Sequence, residues 1–222
     1  METGKSPRSG EVVSVNVGGV RRVEWAGRIV TTAIWKEPVT RPVAVRGVNL
    51  DGDDQADRRV HGGPDKAVYA YAIEDYHWWS EQLGTEVGPG TFGDNLTVSG
   101  LDLANSLIGD RWNVGSTVLE VAQPRLPCFK LGIRMGDATF VDRFEATQRF
   151  GAYLRIIEEG DIEGGDEIRV TTRPEHGFTI TELGRVSPRP DAAAIARILS
   201  IPEVPETWRS WAERAQRRQL GA

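Results

Sequence analysis

The sequence predicts a mainly β fold: a closed or nearly closed barrel with a few flanking helices, followed by a small C-terminal three-helix module. Two observations carry this expectation. Up to Thr172 the chain is mostly short β-rich runs separated by glycine-rich turns. After Arg173-Pro174 the apolar spacing turns helical, punctuated by caps and prolines. A length of 222 residues suits one large domain, or one domain with an appendage. The expected division is a flexible polar tail over 1–10, the barrel over 11–173 and the helical module over 174–222.

Residues 11–17 alternate as a strand does, with Val13, Val15 and Val17 on one face. Further β-rich runs cover 29–35 and 43–50, and a long polar loop follows over 51–59. A strand over 67–72 carries Tyr69 and Tyr71. Ile73, Tyr76, Trp79 and Leu83 make one stripe of an amphipathic helix, and Gly84 stands where its C-terminal cap belongs. After a Gly/Pro-rich loop come short strands over 96–98, 108–114 and 117–122. A short helix is expected over 138–147, with Asp137 as its N-cap, then strands over 153–158 and 167–172. In the module, Thr179 and Glu182 form a capping box, Asp191 caps a second helix, and Pro205 opens a third. Trp208, Trp211, Ala212 and Ala215 line one face of that last helix.

Composition narrows the chemistry. Hydrophobic residues at 39% and charged residues at 27% describe a globule, not a disordered chain. No apolar run approaches the length of a membrane span, and the polar N-terminus lacks a secretory h-region. A single cysteine excludes an internal disulfide and any multi-cysteine zinc or iron–sulfur site. Together these features lead us to expect a cytoplasmic protein. A net charge of −5 argues against a nucleic-acid partner, so an anionic ligand needs a local cluster of cations.

Four loops concentrate reactive chemistry. The first holds Cys128, within Pro124-Arg125-Leu126-Pro127-Cys128-Phe129-Lys130. Two prolines keep this backbone extended, so the thiol is aimed by the chain. Arg125 and Lys130 favour the thiolate, the form that ligates metals and attacks electrophiles. A buried, inert cysteine is the competing reading. The second is His61-Gly62-Gly63-Pro64-Asp65-Lys66, where adjacent glycines let backbone amides approach a ligand beside a cation. In the third, Gly90 to Thr97, Asn95 offers an amide able to read a heterocycle edge. The fourth sets Arg149 and Arg155 on either side of Gly151, and arginine forks suit phosphate. The second and third loops also read as ordinary turns, and the fourth as a solvated strand edge. A Cys–His nucleophile built from Cys128 with His61, His77 or His176 is conceivable from composition, whereas the scattered histidines show no zinc spacing.

Taken in order, these motifs resemble the MOSC domain, named for the C-terminal domain of molybdenum cofactor sulfurase, and its free-standing bacterial YiiM-like branch. The resemblance rests on Gly52-Asp53 with Ala56-Asp57, His61 through Tyr69, Phe92 through Leu96, Gly109 through Trp112, Pro124 through Leu131, and Gly151 through Arg155 with Gly160. It covers about 12–172, and the C-terminal module resembles the three-helix domain of that branch. Asp94 stands where the family commonly has glutamate.

The resemblance implies a MOSC-type β-barrel and a molybdenum cofactor, a Mo-pyranopterin whose metal is ligated by Cys128. Arg125, Lys66, Arg149 and Arg155 are the implied phosphate contacts; His61, Gly62, Gly63 and Asn95 are implied at the pterin. The implied reaction is reduction of N-hydroxylated compounds, such as hydroxylaminopurine-type bases, to amines. Electrons are expected from a separate flavin or iron–sulfur reductase, since the chain has no dinucleotide fingerprint. The acidic surface and the helical module are its expected docking sites. No membrane partner is expected, and a homodimer is. At family level only, an association with pyridoxal phosphate also attaches. The alternative is a non-catalytic carrier of the cofactor, or of sulfur on Cys128.

Overall fold

The computed structural model describes residues 9–56, 62–186 and 190–220. Its strands are β1 (Ser9–Val17), β2 (Arg21–Trp25), β3 (Arg28–Thr32), β4 (Glu37–Val39), β5 (Val43–Arg46), β6 (Asn49–Leu50), β7 (Val68–Ala72), β8 (Leu96–Ser99), β9 (Arg111–Val114), β10 (Thr117–Pro124), β11 (Ala152–Glu158), β12 (Gly160–Ile162) and β13 (Glu167–Thr172). Its helices are α1 (Ile73–Leu83), α2 (Phe129–Met135), α3 (Phe140–Thr147), α4 (Ile180–Gly184), α5 (Ala192–Leu199) and α6 (Glu206–Leu220). Strands β13, β9, β10, β11, β7, β8 and β1 pair in that order, and β13 pairs with β1 to close the barrel. Closure leaves this sheet no open edge at that seam. Among the described residues, no helix is long and apolar enough to cross a membrane.

The barrel is filled by the inward residues of its strands, including Val12, Val15, Val68, Ala70, Leu96, Val98, Trp112, Val114, Leu119, Val121 and Leu154. Strict alternation along β1 puts Val13, Val15 and Val17 together, but the register shifts between Val12 and Ser14. That bulge turns the strand over, so Val12 and Val15 are fully buried while Val13 is 41% exposed. The β-rich run over 29–35 ends as a strand at Thr32, in a hairpin with β2 that the sequence reading did not anticipate.

β7 and β8 run parallel, so the chain between them must cross over, and α1 makes the crossing. Gly84 ends α1 in the left-handed conformation, as its position predicts. The chain returns through the Gly-rich loop to β8. Gly90 is required there: at φ +77° a Cβ would fall 2.6 Å from the Lys36 carbonyl. A second buried cluster, largely aromatic, seats α1, α2 and α3 on the barrel wall. Tyr69, Tyr71, Tyr76, Trp79, Phe92, Phe140, Phe144 and Leu131 form most of it. Trp79 stacks on Phe144 at 5.7 Å, and Tyr76 on Phe92 at 4.9 Å.

Asp94 lies under this cluster, completely buried. Its carboxylate accepts from the Tyr76 hydroxyl at 2.5 Å, the Thr97 hydroxyl at 2.6 Å, and Asn16 Nδ2 and the Gly90 amide at 3.3 Å. Burial pushes its carboxyl above the usual carboxylate range, and the hydroxyl donors oppose that push.

The capping residues of the C-terminal helices are where the sequence puts them. The Thr179–Glu182 capping box forms in full, and the Asp191 side chain accepts from the Ala194 amide. Helix α3 begins later than expected, at Phe140, with Thr139 and not Asp137 at its N-cap; Asp137 Oδ1 instead accepts from the Thr139 amide just ahead of it. Phe178, Ile180, Leu183, Ile195, Ile198 and Ala212 belong to the same buried cluster as the barrel core, so these helices share its core. Arg155 Nη2 donates to the Glu203 carbonyl at 2.9 Å, and Trp208 Nε1 to Gln123 Oε1 at 2.9 Å.

Replacing Asp94 with alanine strands its buried donors from β1, β8, α1 and the Gly90 turn. We expect Asp94→Ala to lose about 3 kcal/mol of stability through its unsatisfied buried donors, read as a lowered urea midpoint, while Asp142→Ala on the exposed face of α3 stays near wild type.

Candidate functional site

The extended segment predicted around Cys128 exists, but it is shorter than the proline argument alone requires. β10 ends at Pro124, the chain runs without regular structure to Cys128, and α2 begins at Phe129. Cys128 is the N-cap of α2, extended at φ −134° and ψ 169°, and its side chain makes no capping bond. Its carbonyl accepts from the Leu131 amide at 2.8 Å, and Leu131 is anchored in the aromatic cluster. The thiol, half-buried, is therefore held by a strand end on one side and a packed helix on the other.

Cys128 opens into a cleft of about 580 Å³, counting its open mouth. Lys36, Asp53, Lys66, Asn95, Arg125 and Tyr153 supply most of its polar wall, and Ala33, Ile34 and Gly93 its apolar one. Arg125 is the central cation. It is 6% exposed and lies over the Tyr69 ring at 5.5 Å. Its Nη2 reaches the Phe92 carbonyl at 3.5 Å, but its Nη1 is buried without a hydrogen-bond partner among the described residues. A buried guanidinium proton without an acceptor is costly, so this is the strongest local sign of a ligand anion.

Lys36 and Asp53 form a buried ion pair on the opposite wall. Asp53 is fully used: Oδ1 also accepts from the Gly18 amide at 2.9 Å, and Oδ2 from Asn95 Nδ2 at 3.0 Å. Burial lowers the Lys66 ammonium from its ordinary value, with Asp65 and Cys128 opposing. Burial pushes the Tyr69 and Tyr153 phenols up, and Arg125 opposes the push, so both rings carry neutral O–H groups near neutral pH.

Cys128, Lys66, Arg125 and Asn95 thus line one cleft. Asn95 does so in a different role. Its Oδ1 accepts from the Tyr69 amide at 3.1 Å, and its Nδ2 also reaches the Asn16 carbonyl at 3.4 Å. The amide is largely consumed in tying β7, β1 and the Asp53 loop together, which leaves little of it for a heterocycle.

Two arginines are not brought to the cleft. Arg149 pairs with Asp75 and lies over the Trp78 ring at 4.6 Å, on the outer side of α1. Arg155 is spent on Asp65, Glu120 and the Glu203 carbonyl. Acidic partners contributed by distant segments decide both cases. Gly63, at φ +96°, turns the chain into the 3-10 turn Pro64–Lys66, and neither it nor Gly62 lines the cleft. His61 lies outside the described residues.

Of the described histidines, His77 and His176 stand away from the cleft that Cys128 lines. His77 is exposed on α1. His176 is locked by both ring nitrogens: Nδ1 accepts from the Phe178 amide at 2.9 Å, so Nε2–H donates to the Ile108 carbonyl at 2.9 Å. Among the described residues, no group of three or more His, Cys, Asp or Glu is arranged to hold a metal ion. Lys36, Tyr153 and the pairing role of Asp53 escaped the sequence reading. Asp53 stood in the Gly52-Asp53 motif, but nothing near Lys36 marked it as a site residue.

A family model described as the MOSC domain matches residues 57–169. The chain belongs to the MOSC family. Among MOSC relatives, the Bacillus subtilis protein YflK is 38% identical over 191 residues, which is 85% of this chain and 86% of that protein. A Gibberella moniliformis protein named a reductase is 32% identical over 190 residues, and the alignment spans only 34% of its length. The crystal structure of YiiM from Geobacillus stearothermophilus superposes with a TM-score of 0.76 at 31% identity, covering 93% of this chain and 98% of that one.

The lowered Lys66 makes a pH prediction. A lysine with a depressed value is charged below it and loses that charge at lower pH than an ordinary lysine. Sulfate binding in the cleft should weaken as pH rises through that point. In Lys66→Arg the weakening should move to higher pH, because arginine keeps its charge; calorimetric titration against pH reads the shift.

Proposed function

We propose that this MOSC chain is a molybdenum-cofactor-dependent reductase of N-hydroxylated compounds of the hydroxylaminopurine type. The observation that carries the reading is Cys128 in one cleft with Arg125, whose buried Nη1 has no partner among the described residues. A soft thiolate suits a molybdenum centre, and desolvated cations suit the anionic phosphate of a pyranopterin. Arg125 and Lys66 are the phosphate contacts that this geometry favours. Arg149 and Arg155 drop out of that role because carboxylates already hold them. The family match and the reductase name of one longer relative support the same class of chemistry.

Two-electron chemistry at an N–O bond is what that cofactor supplies when bound. The reaction balances as R–NHOH plus two electrons and two protons giving R–NH2 and water. The chain's own residues orient the substrate and deliver protons. Tyr153, which lines the cleft with Cys128, offers a neutral hydroxyl as a proton donor. Electrons come from a separate flavin or iron–sulfur reductase.

Protein purified from a host that makes the cofactor should contain close to stoichiometric molybdenum. Cys128→Ser should lose that metal. The wild type, supplied with a reduced viologen, should convert a hydroxylamine to its amine. Metal-free wild-type protein from such a host sinks the reading, and bound metal with no turnover identifies a carrier instead.

A further inference from the structure

A second cavity adjoins the Cys128 cleft, sharing Lys66 and Tyr153 with it. It is an open groove of about 930 Å³ between α6 and the 124–126 segment of the cysteine loop. One wall is Trp208, Trp211 and Arg214; the other includes Leu126, which is 41% exposed. The indoles lie 5.8 Å apart at 79°. Trp208 is fixed by its bond to Gln123, which in turn donates to the Asp65 carbonyl at 3.1 Å, one residue from Lys66. Although the chain carries a net charge of −5, no residue lining this groove is acidic, and two are cations.

We infer that this groove is the substrate subsite, and that its occupant is a purine nucleotide bearing the N-hydroxylated base. The inference rests on the reductase reading for the reaction, but not for the binding. Aromatic faces beside an exposed leucine select a planar ring, and an acid-free rim selects an anion attached to it. Trp208, Trp211 and Arg214 recur at three-residue spacing along one face of α6. Arg214 therefore lies about 9 Å along the helix axis from Trp208. The purine lies against the indoles with its N-hydroxylamino edge toward Cys128, and its phosphate meets Arg214. The C-terminal helices thus supply the specificity of a site whose reacting end belongs to the barrel.

The test is calorimetric titration of the full chain with AMP, adenosine and inorganic phosphate. AMP should bind the wild type at least about ten-fold more tightly than adenosine, and phosphate alone should bind far more weakly than AMP. Arg214→Glu, an exposed position, should abolish the preference for AMP while leaving adenosine affinity intact. Trp211→Ala should weaken both ligands. Equal affinity for AMP and adenosine, or a preference unchanged in Arg214→Glu, overturns the nucleotide assignment. AMP affinity unchanged in Trp211→Ala overturns the groove. Metal content measured on the same preparations separates the two failures: AMP binding that needs Arg214 in metal-free wild-type protein refutes the reductase alone.

Discussion

The buried carboxylate of Asp94 is the constraint on which the rest of this molecule depends. A charge with no access to water must be met by donors, and here they come from β1, β8, α1 and the Gly90 turn. Two of these donors are local, but Asn16 and Tyr76 lie 78 and 18 residues from Asp94. Satisfying the carboxylate therefore fixes where α1 crosses the barrel. The position of α1 fixes the aromatic cluster, and the cluster holds Leu131 and with it the helix that carries Cys128 at its head. The next residue, Asn95, secures the Asp53 loop to β7. The cleft wall and the thiol are thus positioned from the same two adjacent side chains.

The charges around the site fall into two groups with different work. Asp53, Asp65, Asp75 and Glu120 neutralise Lys36, Arg155 and Arg149, and these pairs brace the frame. Arg125 is different in kind: it faces aromatic rings and a carbonyl, with no carboxylate in contact among the described residues. A cation held in that state is pre-organised for a ligand anion, since nothing must be displaced before it binds. The C-terminal helices complete the surroundings. They share the barrel core and meet it beside the cysteine loop, through Glu203 and Trp208.

Much of this was legible in the residues, and the failures have physical causes. Caps are local, so Gly84, Thr179 and Asp191 behave as their neighbours dictate. The Pro-flanked Cys128 is legible for the same reason. A bulge is not local in its cause: the face switch in β1 exists because β8 and β13 must both pair with one strand during closure. Arg149 and Arg155 look like phosphate ligands beside a glycine, yet Gly151 is needed because at φ +65° a Cβ would fall 2.4 Å from the Ala70 carbonyl. Their carboxylate partners lie up to 90 residues away, beyond the reach of any pattern in the sequence.

By itself, the sequence determined the mainly β class, the helical C-terminus, and a single cysteine on a stiff segment beside cations. Each of these follows from interactions between near neighbours in the chain. Only the tertiary structure decided which cations face the thiol, which are consumed by carboxylates, and that α6 walls an aromatic groove beside it. Those outcomes depend on pairing between distant segments, which gives Arg149 and Arg155 carboxylate partners and leaves Arg125 Nη1 buried without a hydrogen-bond acceptor among the described residues.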